Sequence, residues 1–172
     1  MLGHAPILDF DGTLARLAVD WAGLRRRLQV ERIDDLWDRS DGWDAVEVAE
    51  VEAAETAAPI AAVVQALSSV RCFAVLTSNH ASAVTRFLDR FPDLRVRLTT
   101  VVGREELGGP KTDFARFERG LQECVTANNA SLADEPAVYV GDSRYELDFA
   151  RALGLRVVDV KDLDATRRSR DS

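Results

Sequence analysis

The feature that most constrains this chain is a set of short, continuously apolar runs that each end in polar residues. APILD (5–9), CFAVL (72–76) and AVYV (137–140) show no polar alternation. Runs of that length read as strands of a parallel sheet, buried on both faces. Between them lie helical spacings. Ile60, Val63, Val64 and Leu67 share one face, as do Val84, Phe87, Leu88 and Phe91. Pro59 is expected to open the first of these helices. Leu94–Val102 and LRVVDV (155–160) read as two further strands. Phe114, Phe117 and Leu121 mark one more helix, and Ser143 to Leu153 another, ended by Gly154. Alternating strands and helices predict an α/β fold, a parallel sheet with helices on both faces.

The 172 residues suit one domain carrying a small insertion. Residues 15–57 are too long for a plain crossover and read as all helical. Asp20 can cap a helix over Trp21–Leu28. Ile33, Leu36 and Trp37 suggest a second helix, a break follows from Ser40 to Gly42, and Trp43, Val46, Ala49 and Ala53 suggest a third. The expected organisation is a core of 1–14 and 58–172, with 15–57 as a helical cap over the end of the first strand. The cap holds all three tryptophans, expected to form its small core or its seam with the main domain.

Charge narrows the partners. The net charge is −7, and residues 31–55 alone hold ten acids and two bases, leaving the rest near neutral. Such a chain is a poor binder of nucleic acid. No segment has the ~20 apolar residues of a membrane span. MLGHAPILDF lacks the basic and apolar regions of a signal peptide. Cys72 and Cys124 are too few for a disulfide framework and fit a reducing compartment as small core residues. The expectation is a cytoplasmic monomer or dimer. His4 and His80 read as surface residues, Arg25, Arg26 and Arg27 as a solvated helix face, and TRRSRDS (166–172) as a frayed tail.

In open α/β sheets ligands bind beyond the carboxyl ends of the strands. After the first strand come Asp9, Phe10, Asp11, Gly12 and Thr13. After the second come Thr77, Ser78 and Asn79, and after the fourth Gly141, Asp142 and Ser143. The loop after the third leads to Lys111. Three carboxylates on one rim repel one another unless a cation offsets them. Oxygen ligands with no His or Cys cluster favour Mg²⁺, which commonly carries substrate phosphate. One of Asp9 and Asp11 can attack phosphorus, and the other can move protons. Gly12 permits the turn that brings both in.

Each residue has a plainer reading. Asp-x-Asp-Gly-Thr can be an Asx turn, Thr77 a helix cap, and Lys111 a solvated loop lysine. Glu146 can close a capping box with Ser143. An EF-hand loop from Asp9 is excluded, because its sixth and twelfth positions are Leu14 and Asp20.

Taken together, ILDFDGTL (7–14), VLTSN (75–79), GGPKTDF (108–114) and VYVGDSRYELDFARALGL (138–155) resemble, in order, the four motifs of the haloacid dehalogenase-like hydrolase superfamily. The likeness is to phosphoglycolate phosphatase-like members, although the helical cap here is shorter than theirs. The resemblance implies a Rossmann-like core with strand order 5-4-1-2-3. It makes Asp9 the nucleophile, Asp11 the acid/base, Thr77 the phosphate-binding hydroxyl and Lys111 the motif-three lysine. It implies Mg²⁺ held by Asp9, the backbone carbonyl of Asp11, and Asp142. Where related sequences usually carry Asp, this one has Glu146, whose longer side chain can reach the metal through water. Gly12, Thr13, Ser78 and Asn79 complete the expected phosphate site. The function so implied is a Mg²⁺-dependent phosphatase acting on a small phosphomonoester through an aspartyl-phosphate. A sugar-phosphate phosphomutase, or a binding or scaffold protein without turnover, remains the alternative.

Overall fold

The computed structural model describes Leu2 and residues 5–39, 41–129 and 137–168. His4, Ser40 and residues 169–172 lie outside the described residues, and the expectations placed on them with them.

The apolar runs form the middle of the sheet. β1 (Pro6–Leu8) lies between β4 (Phe73–Leu76) and β6 (Val138–Gly141), and the edges are β5 (Leu98–Val102) and β7 (Arg156–Asp159). All pairings are parallel, with Ile7 opposite both Ala74 and Tyr139. The order is β5-β4-β1-β6-β7. The numbering differs from the expected 5-4-1-2-3 because two short strands outside the sheet, β2 and β3, intervene. Counted within the sheet alone, the order is the expected one read from the opposite edge.

Successive residues of a strand face opposite sides, and each side has its own core. Leu8, Phe73, Val75, Val138 and Val140 pack with α3 (Ala61–Leu67), α4 (Ala81–Leu88) and Val160 of α9 (Val160–Arg168). Ile7, Ala74, Leu76 and Tyr139 pack with α7 (Phe114–Asn129) and α8 (Arg144–Ala152). Fully burying such a side chain contributes roughly 1.5–3 kcal/mol. The parallel ladder is therefore held by what covers it on both faces.

The 15–57 segment contains β2 (Ala15–Arg16), α1 (Trp21–Leu28), a 3-10 turn at Ile33–Asp38 and α2 (Trp43–Thr56). Asp20 caps α1, its Oδ1 accepting the Gly23 N–H at 2.8 Å. Leu24, Leu36 and Val46 form a small core with Trp21 and Trp43 against it. α2 does not stand free. Ser82 donates to Glu47 at 2.9 Å, Arg86 to Glu55 at 3.0 Å, and Arg90 Nη1 to the carbonyls of Ala54 and Ala57 at 3.1 and 2.9 Å. α2 is thereby fastened along α4 and the residues just after it.

Three local expectations are corrected. The 15–57 segment is not wholly helical, because Ala15–Arg16 forms β2. Pro59 does not open a helix. β3 (Ala58–Pro59) pairs antiparallel with β2, and α3 begins two residues later. A two-stranded ribbon tolerates a residue without an N–H. The strand expected from Leu94 starts only at Leu98, because Pro92–Arg95 (α5) makes a helical turn first. α6 (Arg104–Leu107) is a further short helix ahead of the GGPK loop, and α9 extends to Arg168.

Candidate active site

β1 delivers Asp9 to the sheet rim. Its N–H still donates to the Val140 carbonyl at 2.9 Å, so the backbone there is fixed by the neighbouring strand. The chain then turns tightly. The Phe10 carbonyl accepts from Thr13, Leu14 and Ala15, while the Phe10 ring is buried against Phe87 at 5.6 Å. Gly12 takes φ +80°, where a side chain is strained, and a Cβ there would come within 2.3 Å of Asp142 Oδ2. The turn therefore brings Asp11 round while leaving room for the Asp142 carboxylate against its backbone. Asp11 Oδ1 accepts the Leu17 N–H at 2.9 Å.

Thr77 follows β4 and is buried. Its Oγ1 donates to Asn79 Oδ1 at 3.0 Å and accepts the Asn79 N–H at 3.1 Å. Lys111, only 2% exposed, donates from Nζ to Asp9 Oδ1 at 2.6 Å. Glu146 Oε2 lies 2.9 Å from the same Nζ. A cleft of about 370 Å³ is lined by Asp9, Asp11, Thr77, Ser78, Asn79, Lys111, Asp142 and Glu146.

Burial sets the electrostatics. It pushes the Asp9 carboxyl up to about 7, with Lys111 pulling the other way. Burial alone would disfavour a charged Lys111, but Asp9 and Glu146 outweigh it and hold the ammonium above the ordinary lysine range. Asp11 and Asp142 are both raised, chiefly by burial. The nearby Asp142 adds to the rise at Asp11, and Glu146 to that at Asp142. These are hard oxygen donors whose mutual repulsion a divalent cation would relieve. Among the described residues, no three His, Cys, Asp or Glu side chains form a ready-made cage. Asp9 and Asp142, with the Asp11 backbone carbonyl, could hold a Mg²⁺ whose remaining ligands are waters.

Four expected site residues are placed differently. Both Glu146 oxygens are taken, Oε2 by Tyr139 Oη and Lys111, Oε1 by Tyr145 Oη at 2.9 Å. Ser143 makes no side-chain cap, so the capping-box alternative fails too. Glu146 holds the lysine, which leaves it poorly placed as a metal ligand. Thr13 is fully buried, its hydroxyl unpartnered, and it does not line the cleft. Gly12 also lies outside the lining and serves the turn. Asn79 lines the cleft, but its amide is committed to Thr77 and Glu50. His80 caps α4, its Nδ1 accepting the Ser82 N–H. Arg25, Arg26 and Arg27 are exposed and away from the cleft.

The sequence reading missed Glu50 and Arg104. Glu50 on α2 is 1% exposed and accepts from Asn79 Nδ2 at 2.9 Å, the His80 N–H at 3.0 Å and Arg104 Nη1 at 2.9 Å. Its signal was its position: Val46, Glu50 and Ala54 form the buried i, i+4, i+8 stripe of α2. A glutamate at the centre of such a stripe needs a partner. Arg104 is 54 residues away in sequence, and nothing local announced it.

The family model described as haloacid dehalogenase-like hydrolase matches residues 22–160. No curated protein matches. Among solved structures, a HAD-superfamily hydrolase of Ehrlichia chaffeensis is 12% identical over 91% of this chain and 85% of its own, with TM-score 0.52. A HAD-superfamily hydrolase, subfamily IA, of Geobacter sulfurreducens is 19% identical over 90% and 85%, with TM-score 0.51. The L-2-haloacid dehalogenase of Xanthobacter autotrophicus is 12% identical over 90% and 76%, with TM-score 0.53. At these identities the likeness is one of fold. It does not single out the phosphoglycolate phosphatase-like group.

Proposed function

The chain belongs to the haloacid dehalogenase-like hydrolase family, and on that premise we propose that it is a Mg²⁺-dependent phosphatase of a small phosphomonoester, with 15–57 as its substrate-facing cap. The observation that carries this reading is the buried Asp9–Lys111 pair at 2.6 Å, in one cleft with Asp11, Thr77 and Asp142. Mg²⁺ on Asp9, the Asp11 carbonyl and Asp142 would offset carboxylate charge and attract the substrate phosphate.

The protein's own groups supply the remaining steps. An Asp9 carboxylate oxygen adds to phosphorus as the bond to the leaving oxygen breaks. Asp11 gives that oxygen its proton. Leu17 occupies Asp11 Oδ1, so the proton sits on Oδ2, and burial favours its retention. Asp11 then takes a proton from water. The water oxygen bonds to phosphorus, the Asp9–phosphorus bond breaks, and phosphate leaves. Lys111 keeps the Asp9 carboxylate oriented and balances developing charge. Glu146, Tyr139 and Tyr145 keep Lys111 in place. Thr77 Oγ1 would exchange Asn79 for a phosphate oxygen as its acceptor.

Two competing reactions are less well supported. A mutase must exclude water from the aspartyl-phosphate, yet Ser78 and Asp142 are exposed. Haloacid dehalogenation would need a cation to hold a substrate carboxylate, and the charge of both cations lining the cleft is already offset by Glu50, Asp9 and Glu146. The deciding experiment measures p-nitrophenyl phosphate hydrolysis with and without Mg²⁺, beside halide release from chloropropionic acid. Mg²⁺-dependent phosphate release supports the reading. Halide release without phosphatase activity contradicts it.

A further inference from the structure

The aromatic lining of the cleft bears on the leaving group. All three tryptophans, Trp21, Trp37 and Trp43, line it together with Ile33. Trp37 and Trp43 lie 4.5 Å apart between ring centroids, and the Arg104 guanidinium covers Trp43 at 4.4 Å. Part of the cleft wall is thus aromatic, built from half-buried rings, those of Trp37 and Trp43 tilted about 50° to one another.

Charge decides what that wall can accept. Among the described residues lining the cleft, the cations are Lys111 and Arg104. Lys111 is held by Asp9 and Glu146, and Arg104 by Glu50 and the Ser78 carbonyl. Six carboxylates line the same cleft, Asp34 among them. A substrate carrying a carboxylate beside its phosphate would bring it to a surface where the charge of both cations is already offset by carboxylates. An aromatic body meets rings, and rings pack favourably against rings. We propose that the substrate is a phosphate ester of an uncharged aromatic alcohol, whose ring lies against the Trp37–Trp43 wall. This rests on the phosphatase reading and runs against a phosphoglycolate-like substrate. Arg104 Nη2 is buried and has no partner. It can donate to a neutral oxygen on the aromatic body, while Glu50 beside it discourages a second anion.

Tryptophan emission tests this directly, because every tryptophan of the chain lies in the cleft. The full chain with Mg²⁺ is titrated with phenylphosphonate and with phosphonoacetate, two non-hydrolysable probes sharing the phosphonate group. The expected result is binding of phenylphosphonate about tenfold tighter or more. Trp37→Ala should shrink that ratio and Trp37→Phe restore it, with circular dichroism confirming the fold. Equal or tighter binding of phosphonoacetate, or no binding of either probe, overturns the proposal. Turnover separates it from its premise. Mg²⁺-dependent hydrolysis favouring phosphoglycolate over p-nitrophenyl phosphate defeats the aromatic assignment and leaves a phosphatase. Hydrolysis of neither defeats the phosphatase reading.

Discussion

Replacing Glu50 with Ala should be the most damaging single change outside the catalytic set. Its carboxylate is 1% exposed and is the acceptor for Asn79 Nδ2, the His80 N–H and Arg104 Nη1. Removing it strands a guanidinium that is only 6% exposed, and breaking a buried ion pair from one side costs about 3–5 kcal/mol. The two orphaned donors cost roughly 1–3 kcal/mol each if they stay dry. These penalties share one relaxation, so the expected total is nearer about 4–6 kcal/mol than their sum. Against a typical domain stability of about 5–15 kcal/mol, the variant is marginal. Urea unfolding should be followed by tryptophan emission, which reports the 15–57 segment, and by circular dichroism, which reports the whole. The double variant Glu50→Met/Arg104→Met should lose clearly less than the two single variants combined, since no unpaired charge remains. A Glu50→Ala midpoint corresponding to less than about 1 kcal/mol would refute the reasoning, because that is the scale of an exposed pair.

Gly12→Ala places a Cβ in the left-handed region and against Asp142 Oδ2. It should cost about 1–2 kcal/mol in backbone strain and weaken Mg²⁺ binding by calorimetry. An unchanged affinity would separate Asp142 from the metal. Metal binding should also depend on pH. Burial holds Asp9 at about 7, so at pH 5 a proton competes with the cation there, and the rise at Asp142 acts in the same direction, whereas at pH 8 Asp9 is charged. The Mg²⁺-induced rise in melting temperature should therefore be larger at pH 8. Equal rises would contradict this. Glu146→Gln, which weakens the hold on Lys111, should lower kcat with little effect on KM, and a KM effect alone would place Glu146 in substrate binding. Burial pushes the Cys124 thiol up to about 12 and raises Cys72 as well. Both should resist a thiol reagent at pH 8 until urea is added, and stoichiometric labelling of the native protein would refute their core placement.

The sheet and most of the rim were readable because central parallel strands are buried on both faces. CFAVL and VYVG therefore carry their signal in the residues themselves, and the polar residues just after them fall at the rim by topology. Gly12 was readable for a similar reason, since a tight turn leaves a local mark. What escaped depends on partners distant in sequence. Pro59 starts a helix by local preference, yet pairing with β2 made it part of a ribbon. The acidic 31–55 segment announced only its charge, although Glu50 within it is buried against Arg104, which follows the edge strand β5. Glu146 sat at a motif position, but the tyrosine that captures it reads in sequence as one more buried residue of a strand run.

The most direct test stops a single turnover with acid and maps phosphoryl adducts by mass spectrometry. With Mg²⁺ and an aryl phosphate, the adduct should sit on Asp9, disappear on a longer chase and be absent from Asp9→Asn. Turnover that leaves no adduct on Asp9, or that persists undiminished in Asp9→Asn, would contradict the account.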